Sequence, residues 1–135
     1  MIQRLQTLFL ILAGVINLFI FFTPLYRHAV RDPQGWIGTG FAIFLTGAML
    51  FAVVSTFFYK NRKRQLVWVK AGTCFQIAAL AVGTSILFTL GGFGTFLLTE
   101  ALSLFFILIG LISYWQAGRF IKKDEELVRS MDRIR

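Results

Sequence analysis

Polar residues in this chain gather into short clusters, and between the clusters run long stretches without a single charge. Residues 5–26 make a run of 22, residues 36–59 a run of 24 and residues 71–99 a run of 29. A helix needs roughly 20 apolar residues to cross a hydrocarbon layer of about 30 Å. The first two runs therefore predict one membrane-spanning helix each, at residues 5–25 and 36–59. Pro24 suits the end of the first, because proline lacks the backbone donor that a continuing helix needs, and a polar turn is expected over residues 26–35.

The third run is too long for one ordinary span and slightly short for two. Gly91-Gly92-Phe93-Gly94 divides it, since three glycines in four positions end a helix and permit a tight reversal. Spans three and four are expected at residues 69–90 and 95–117, with a basic loop at 60–70 ahead of them. Barrel strands alternate apolar and polar positions, whereas these runs are apolar all round. The predicted fold is an all-α membrane protein: residues 1–118 form four transmembrane helices in an up-down-up-down antiparallel bundle, and residues 119–135 form a C-terminal tail.

Charge gives the direction. With both termini cytoplasmic, that side holds Arg4, Lys60, Arg62, Lys63, Arg64, Lys70, Arg119, Lys122, Lys123, Arg129, Arg133 and Arg135, which is twelve of the fourteen Lys and Arg. Arg27 and Arg31 alone remain outside, as the excess of basic residues in cytoplasmic loops requires. Merging spans three and four would move the basic tail outside, so the count supports the glycine turn as well. Trp and Tyr prefer head-group depth, and Tyr26, Trp36, Tyr59, Trp68, Tyr114 and Trp115 all fall near predicted span ends.

Composition agrees with the pattern. Of 135 residues, 57% are hydrophobic and 15% charged, with a mean hydropathy of +0.74, and the apolar excess over an ordinary soluble domain has to face lipid. A net charge of +8 is read as attraction to anionic lipid head groups; no nucleic acid is expected, because the cations sit beside apolar spans and not on a separate folded surface. A cleaved leader is not expected either. The first apolar run is longer than a usual signal core, and Phe19-Ile20-Phe21-Phe22 stands where small residues should precede a cleavage site. Cys74 is the single cysteine, so the chain has no internal disulfide and no paired-cysteine metal site.

Three intramembrane polar residues are candidates for function. Glu100 is the only acid inside a span, and a carboxylate there is costly enough to suggest a proton relay or cation site; one turn from the interface, it is equally served by pairing with Arg27, Arg31 or His28, and this structural reading is preferred. Asn17 is the deepest polar residue of span one. Gln76 in span three is its natural partner, in an interhelical amide contact worth on the order of 1 kcal/mol. Small residues four apart, Ala48 with Ala52 and Ala79 with Gly83, allow close helix approach, within the chain or between copies.

On the cytoplasmic side, Lys60, Arg62, Lys63, Arg64 and Lys70 are expected to contact lipid head groups, each gaining about 1 kcal/mol near an anionic surface. The tail places Phe120, Ile121, Leu127, Val128, Met131 and Ile134 at near-helical spacing with charge on the opposite face, which predicts an amphipathic helix. Lys122 with Glu126 and Glu125 with Arg129 are spaced for intrahelical pairs. Such a helix either lies on the inner leaflet or docks on a partner. The acids Asp124, Glu125, Glu126 and Asp132 favour docking, with Leu127, Val128, Met131 and Ile134 as the contact residues. No phosphate loop follows Gly94, His28 is the only histidine, and no serine is placed with a histidine and an acid. No catalytic residue, metal ligand or cofactor is expected, and the chain is read as not an enzyme.

Met1-Ile2-Gln3-Arg4 with Gln6-Thr7, and the tail segment Ile121-Lys122-Lys123-Asp124-Glu125-Glu126-Leu127-Val128-Arg129-Ser130 followed by Asp132-Arg133, resemble a four-span family of inner-membrane proteins from Bacteroidota, filed as domain of unknown function 4293. The resemblance covers essentially the whole chain and implies a bacterial inner membrane with no assigned activity. Two functions are carried forward. The first is a non-enzymatic small subunit or interaction partner of a membrane assembly, as a homo-oligomer or with other membrane proteins. The second is a small oligomeric transporter or channel for a proton-coupled or cationic solute, with Glu100 and Asn17 in its path.

Overall fold

A computed structural model describes residues 2–31, 33–89 and 98–134, and every element in them is helical: α1 (Ile2–Ile20), α2 (Pro24–Val30), α3 (Trp36–Phe57), α4 (Arg62–Thr89) and α5 (Leu98–Ile134). The expected glycine reversal at residues 91–94 and the start of the fourth span at residue 95 lie outside the described residues. Four helices, α1, α3, α4 and α5, are long and apolar enough to cross a membrane. At 1.5 Å per residue, the 22 residues of α3 extend about 33 Å, matching the hydrocarbon thickness.

Three boundaries differ from the sequence reading, each for a local reason. Pro24 opens a helix where it was expected to close one, since its fixed φ and missing N–H are tolerated in a first turn. Half of the expected polar turn, residues 26–30, is therefore part of α2, a short helix that buries Leu25 and Ala29. Gly35, whose φ of 68° suits glycine, stands at the N-terminal cap of α3. Helix α4 begins seven residues before the expected span, because Asn61 caps it: its Oδ1 accepts from the Arg64 N–H at 3.3 Å and its carbonyl from the Gln65 N–H at 2.9 Å. Helix α5 runs unbroken for 37 residues, so span four and the tail are one rod of about 55 Å.

Helix α1 packs on α3 and α5, and α4 packs on the same two, which places α1 and α4 on one diagonal of the bundle. Phe9 stacks on Phe120 and Phe19 meets Phe106 edge-on, so α1 and α5 are antiparallel. Phe44 and Phe51 meet Phe75 and Trp68 in the same antiparallel sense between α3 and α4. Buried positions recur at the same spacings in paired helices, shifted by 59 residues from α1 to α4 (6 to 65) and by 62 from α3 to α5 (38 to 100). Gln6, Leu10, Ala13, Asn17 and Ile20 of α1 correspond to Gln65, Val69, Gly72, Gln76 and Ala79 of α4. Gly38, Phe41, Leu45, Ala48 and Ala52 of α3 correspond to Glu100, Ser103, Ile107, Gly110 and Tyr114 of α5.

The small pairs Ala48/Ala52 and Ala79/Gly83 are all buried inside this one chain, so they serve internal packing. Tyr114 departs from the expected interfacial position. It is wholly buried, packs on Gly72, and donates its hydroxyl hydrogen to the Ala48 carbonyl of α3. Its neighbour Trp115 is the exposed one; residue 114 shares a helical face with Ile107, Gly110 and Ala117, and residue 115 does not.

Candidate functional site

The deepest polar group lies on the diagonal between α1 and α4. Asn17 and Gln76 are both fully buried, and Asn17 Nδ2 donates to Gln76 Oε1 at 2.8 Å and to the Ala13 carbonyl of its own helix at 2.8 Å. Gln76 Nε2 in turn donates to the Ile107 carbonyl of α5 at 3.1 Å. Gly110 makes room for that side chain: a Cβ there would stand 2.7 Å from Gln76 Nε2. Sequence reasoning had paired these two amides, and the structure joins them. Asn17 Oδ1 has no hydrogen-bond partner among the described residues.

A second amide level, absent from the sequence reading, lies three turns nearer the chain termini. Gln6 and Gln65 are buried, and Gln6 Nε2 and Gln65 Oε1 are without partners among the described residues. The signal for it is present in the chain: Gln6 and Asn17 are eleven residues apart, as are Gln65 and Gln76, and eleven residues return a helix to the same face in three turns. Buried unpaired donors and acceptors are costly, so this level is the less settled part of the core.

Glu100 sits at the opposite end of the bundle, in the first turn of α5, and is buried. His28 Nε2 of α2 lies 3.2 Å from Glu100 Oε1, and Thr99 Oγ1 donates to Oε2 at 2.8 Å. Of the three partners expected for this acid, the structure supplies the histidine. Arg27 turns instead to the Phe22 carbonyl. Glu100 and Asn17 are not brought together: the amide pair bonds Ile107, seven residues along α5 from Glu100, which is about 10 Å of helix.

At the end bearing the termini, Lys60, Lys63, Arg64 and Lys70 are exposed, while Arg62 is half-buried with its Nε 2.6 Å from Asp124 Oδ2. Arg62 is therefore engaged by α5 and is not a free head-group cation. The expected pairs Lys122–Glu126 and Glu125–Arg129 are not among the ion pairs of the described residues. The tail is instead tied sideways to α4 by Asp124 and to α1 by the Phe120–Phe9 stack. Leu127, Met131 and Ile134 are exposed, and Val128 is half-buried on the side of the basic loop.

A family model matches residues 2–134, nearly the entire chain. The chain belongs to the DUF4293 family, a domain of unknown function. No curated protein and no solved structure matches it. The family resemblance of the two chain ends thus extends through all five helices, and the buried amides and the Glu100–His28 pair are features of this DUF4293 chain's own geometry.

Coupling between the two amides is directly measurable. Asn17→Leu and Gln76→Leu are each expected to leave membrane insertion intact and to cost about 1 kcal/mol of stability. The double variant is expected to cost less than the two singles together, because whichever amide remains in a single is left with an unpaired polar group. Thermal unfolding of the four proteins in detergent micelles reads the cycle, and strict additivity would show that the amides do not bond.

Proposed function

We propose that this DUF4293 protein is a non-enzymatic, multi-pass protein of a bacterial inner membrane, of the Bacteroidota kind, with both termini cytoplasmic. In this reading it is a small subunit or interaction partner of a membrane assembly. The observation that carries it is the single rod of α5. A helix fastened to α1 by Phe120 and to α4 by Asp124 leaves the bundle with its direction fixed and carries Leu127, Met131 and Ile134 exposed at its end. These three lie on one face at spacings of four and three, as in a helix that docks by its apolar stripe. Being tied to its neighbours, the helix loses little further freedom on binding, which favours affinity.

The double change Leu127→Asp/Met131→Asp is expected to release the protein's neighbours after gentle detergent extraction while leaving the thermal stability of the bundle within about 0.5 kcal/mol, as for other exposed positions. An unchanged set of co-purifying proteins, or a wild-type chain that purifies alone and monodisperse, would overturn this reading.

The unpartnered Asn17 Oδ1 and the buried Glu100 favour a second function, an oligomeric transporter or channel for protons or a cationic solute. Against it stands the engagement of Glu100 by His28 and Thr99 and of the Asn17 Nδ2 by Gln76 and the Ala13 carbonyl. Glu100→Gln keeps the shape and removes the charge; loss of solute or proton flux in proteoliposomes at normal expression would promote transport, and full flux would remove Glu100 from any path.

A further inference from the structure

Among the described residues, outer grooves lie between α1 and α3, between α3 and α4 and between α4 and α5, and the last is unlike the other two. The grooves between α1 and α3 and between α3 and α4 are lined without a single charged residue. The groove between α4 and α5, about 390 Å³, is lined by Lys70, Arg119 and Lys122 together with apolar and small residues, and by no acid. Of the acids next along α5, Asp124 is taken by Arg62, and Glu126 lines the neighbouring pocket with Arg119 and Lys122, outside this groove.

Helical spacing explains why the cations converge. On α5, residues 115, 118, 119 and 122 share one face, and on α4 residues 66, 69, 70, 73 and 74 share another. The two helices approach closely here, Gly72 lying against the Tyr114 ring and Gly118 against Val69. The cations occupy the half of the groove nearer the chain termini. Cys74, Tyr114 and Trp115 line the half toward mid-bundle, and the Arg119 guanidinium is held over the Trp115 ring at 4.9 Å. A charged head above an apolar cleft, at the level of an exposed tryptophan, is the shape of a phospholipid.

We propose that the α4–α5 groove binds one anionic phospholipid, its phosphate on Lys70, Arg119 and Lys122 and an acyl chain along the cleft floored by Gly118. The proposal rests on the membrane-embedded reading above. Charge complementarity selects the occupant: three cations without an acid favour an anionic head over a zwitterionic one, and basic pockets between membrane helices bind such heads. A specific lipid there joins α5 to α4 just below the point where the tail leaves the bundle.

The test is native mass spectrometry of the full chain, delipidated in mild detergent and titrated separately with phosphatidylglycerol and phosphatidylcholine. Phosphatidylglycerol is expected to occupy one strong site at least about tenfold more tightly, since each head-group-level cation contributes about a factor of five. The triple change Lys70→Ala/Arg119→Ala/Lys122→Ala is expected to abolish that preference. Lys60→Ala/Lys63→Ala/Arg64→Ala, which removes the same charge from exposed positions just before and within the first turn of α4, is expected to leave it within about twofold, since none of the three lines the groove. Gly118→Leu fills the cleft without touching charge and is expected to weaken lipid binding on its own, which keeps the test decisive should the groove triple not fold.

Equal affinity for the two lipids, an equal loss in the loop triple, or displacement of the lipid by soluble glycerol phosphate at similar concentration would each overturn the lipid site, the last by showing a free-phosphate site. Release of the wild-type chain from membranes by alkaline carbonate would overturn the embedded reading itself, a separate outcome from an embedded chain without lipid preference.

Discussion

Gly72→Ala is expected to lower the unfolding temperature in detergent micelles by about 10 °C, and Gly72→Leu to prevent assembly of a monodisperse bundle. A Cβ at residue 72 would stand 2.5 Å from Tyr114 Cε1 and 2.7 Å from its Cζ and Oη, distances that real Cβ contacts do not reach. The ring has no easy retreat. It is wholly buried, and its hydroxyl is bonded to the Ala48 carbonyl across the bundle, so moving it disturbs α3, α4 and α5 together. Overpacking of this kind costs about 1–3 kcal/mol, and in a chain of this size about 2–3 kcal/mol corresponds to that shift in temperature. Tyr114→Ala alone is expected to cost about 3–5 kcal/mol through the cavity it leaves. Because a leucine at 72 would grow into that same cavity, Gly72→Leu/Tyr114→Ala is expected to be more stable than the sum of its parts. An unchanged unfolding temperature in Gly72→Ala would show that the ring is elsewhere.

The same contact marks the boundary of what the amino-acid sequence discloses. Hydropathy and charge locate the apolar layer, and α3 at 36–57 lies within two residues of the span read from charge alone. They do not say how far a helix continues past the layer, where charged residues cost a helix nothing. Arg62 to Gln65 therefore read as loop while Asn61 in fact caps α4, and α5 read as a span followed by a separate amphipathic helical tail. Asn17 with Gln76, and Glu100 with His28, were legible because a polar group in an apolar run has few partners to choose from. Tyr114 was not, since depth is a property of the run while burial is a property of the face, and only the phase of α5 separates it from Trp115. Gln6 and Gln65 were hidden for a related reason: Gln65 follows Arg64 and Gln6 lies in the first turn of its span, places where a glutamine looks ordinary until the eleven-residue spacing to Asn17 and Gln76 is noticed.

Gly38→Ala is expected to detach α2 from the bundle and to open the Glu100 end. A Cβ at residue 38 would stand 2.7 Å from the Ala29 carbonyl oxygen, 3.1 Å from its carbon and 3.1 Å from Val30 Cα. All three are backbone atoms, so no side-chain rotation relieves the clash and α2 has to move as a unit. Its seven residues are too few to persist as an isolated helix; they hold their shape through the burial of Leu25 and Ala29 and the contact of His28 with Glu100. Moving α2 away exposes those two apolar side chains and leaves Glu100 with Thr99 as its described partner. The expected cost is about 1–3 kcal/mol, together with faster amide exchange confined to residues 25–30. Gly40→Ala is the matched control, because a Cβ there meets nothing within 4 Å. Replacing glycine inside a helix by alanine without steric conflict is worth about 0.5–1 kcal/mol of added stability, so the two substitutions, two residues apart, are expected to move the unfolding temperature in opposite directions. A parallel shift in both would mean that α2 does not rest on Gly38, and the housing of Glu100 would then have to be sought elsewhere in the bundle.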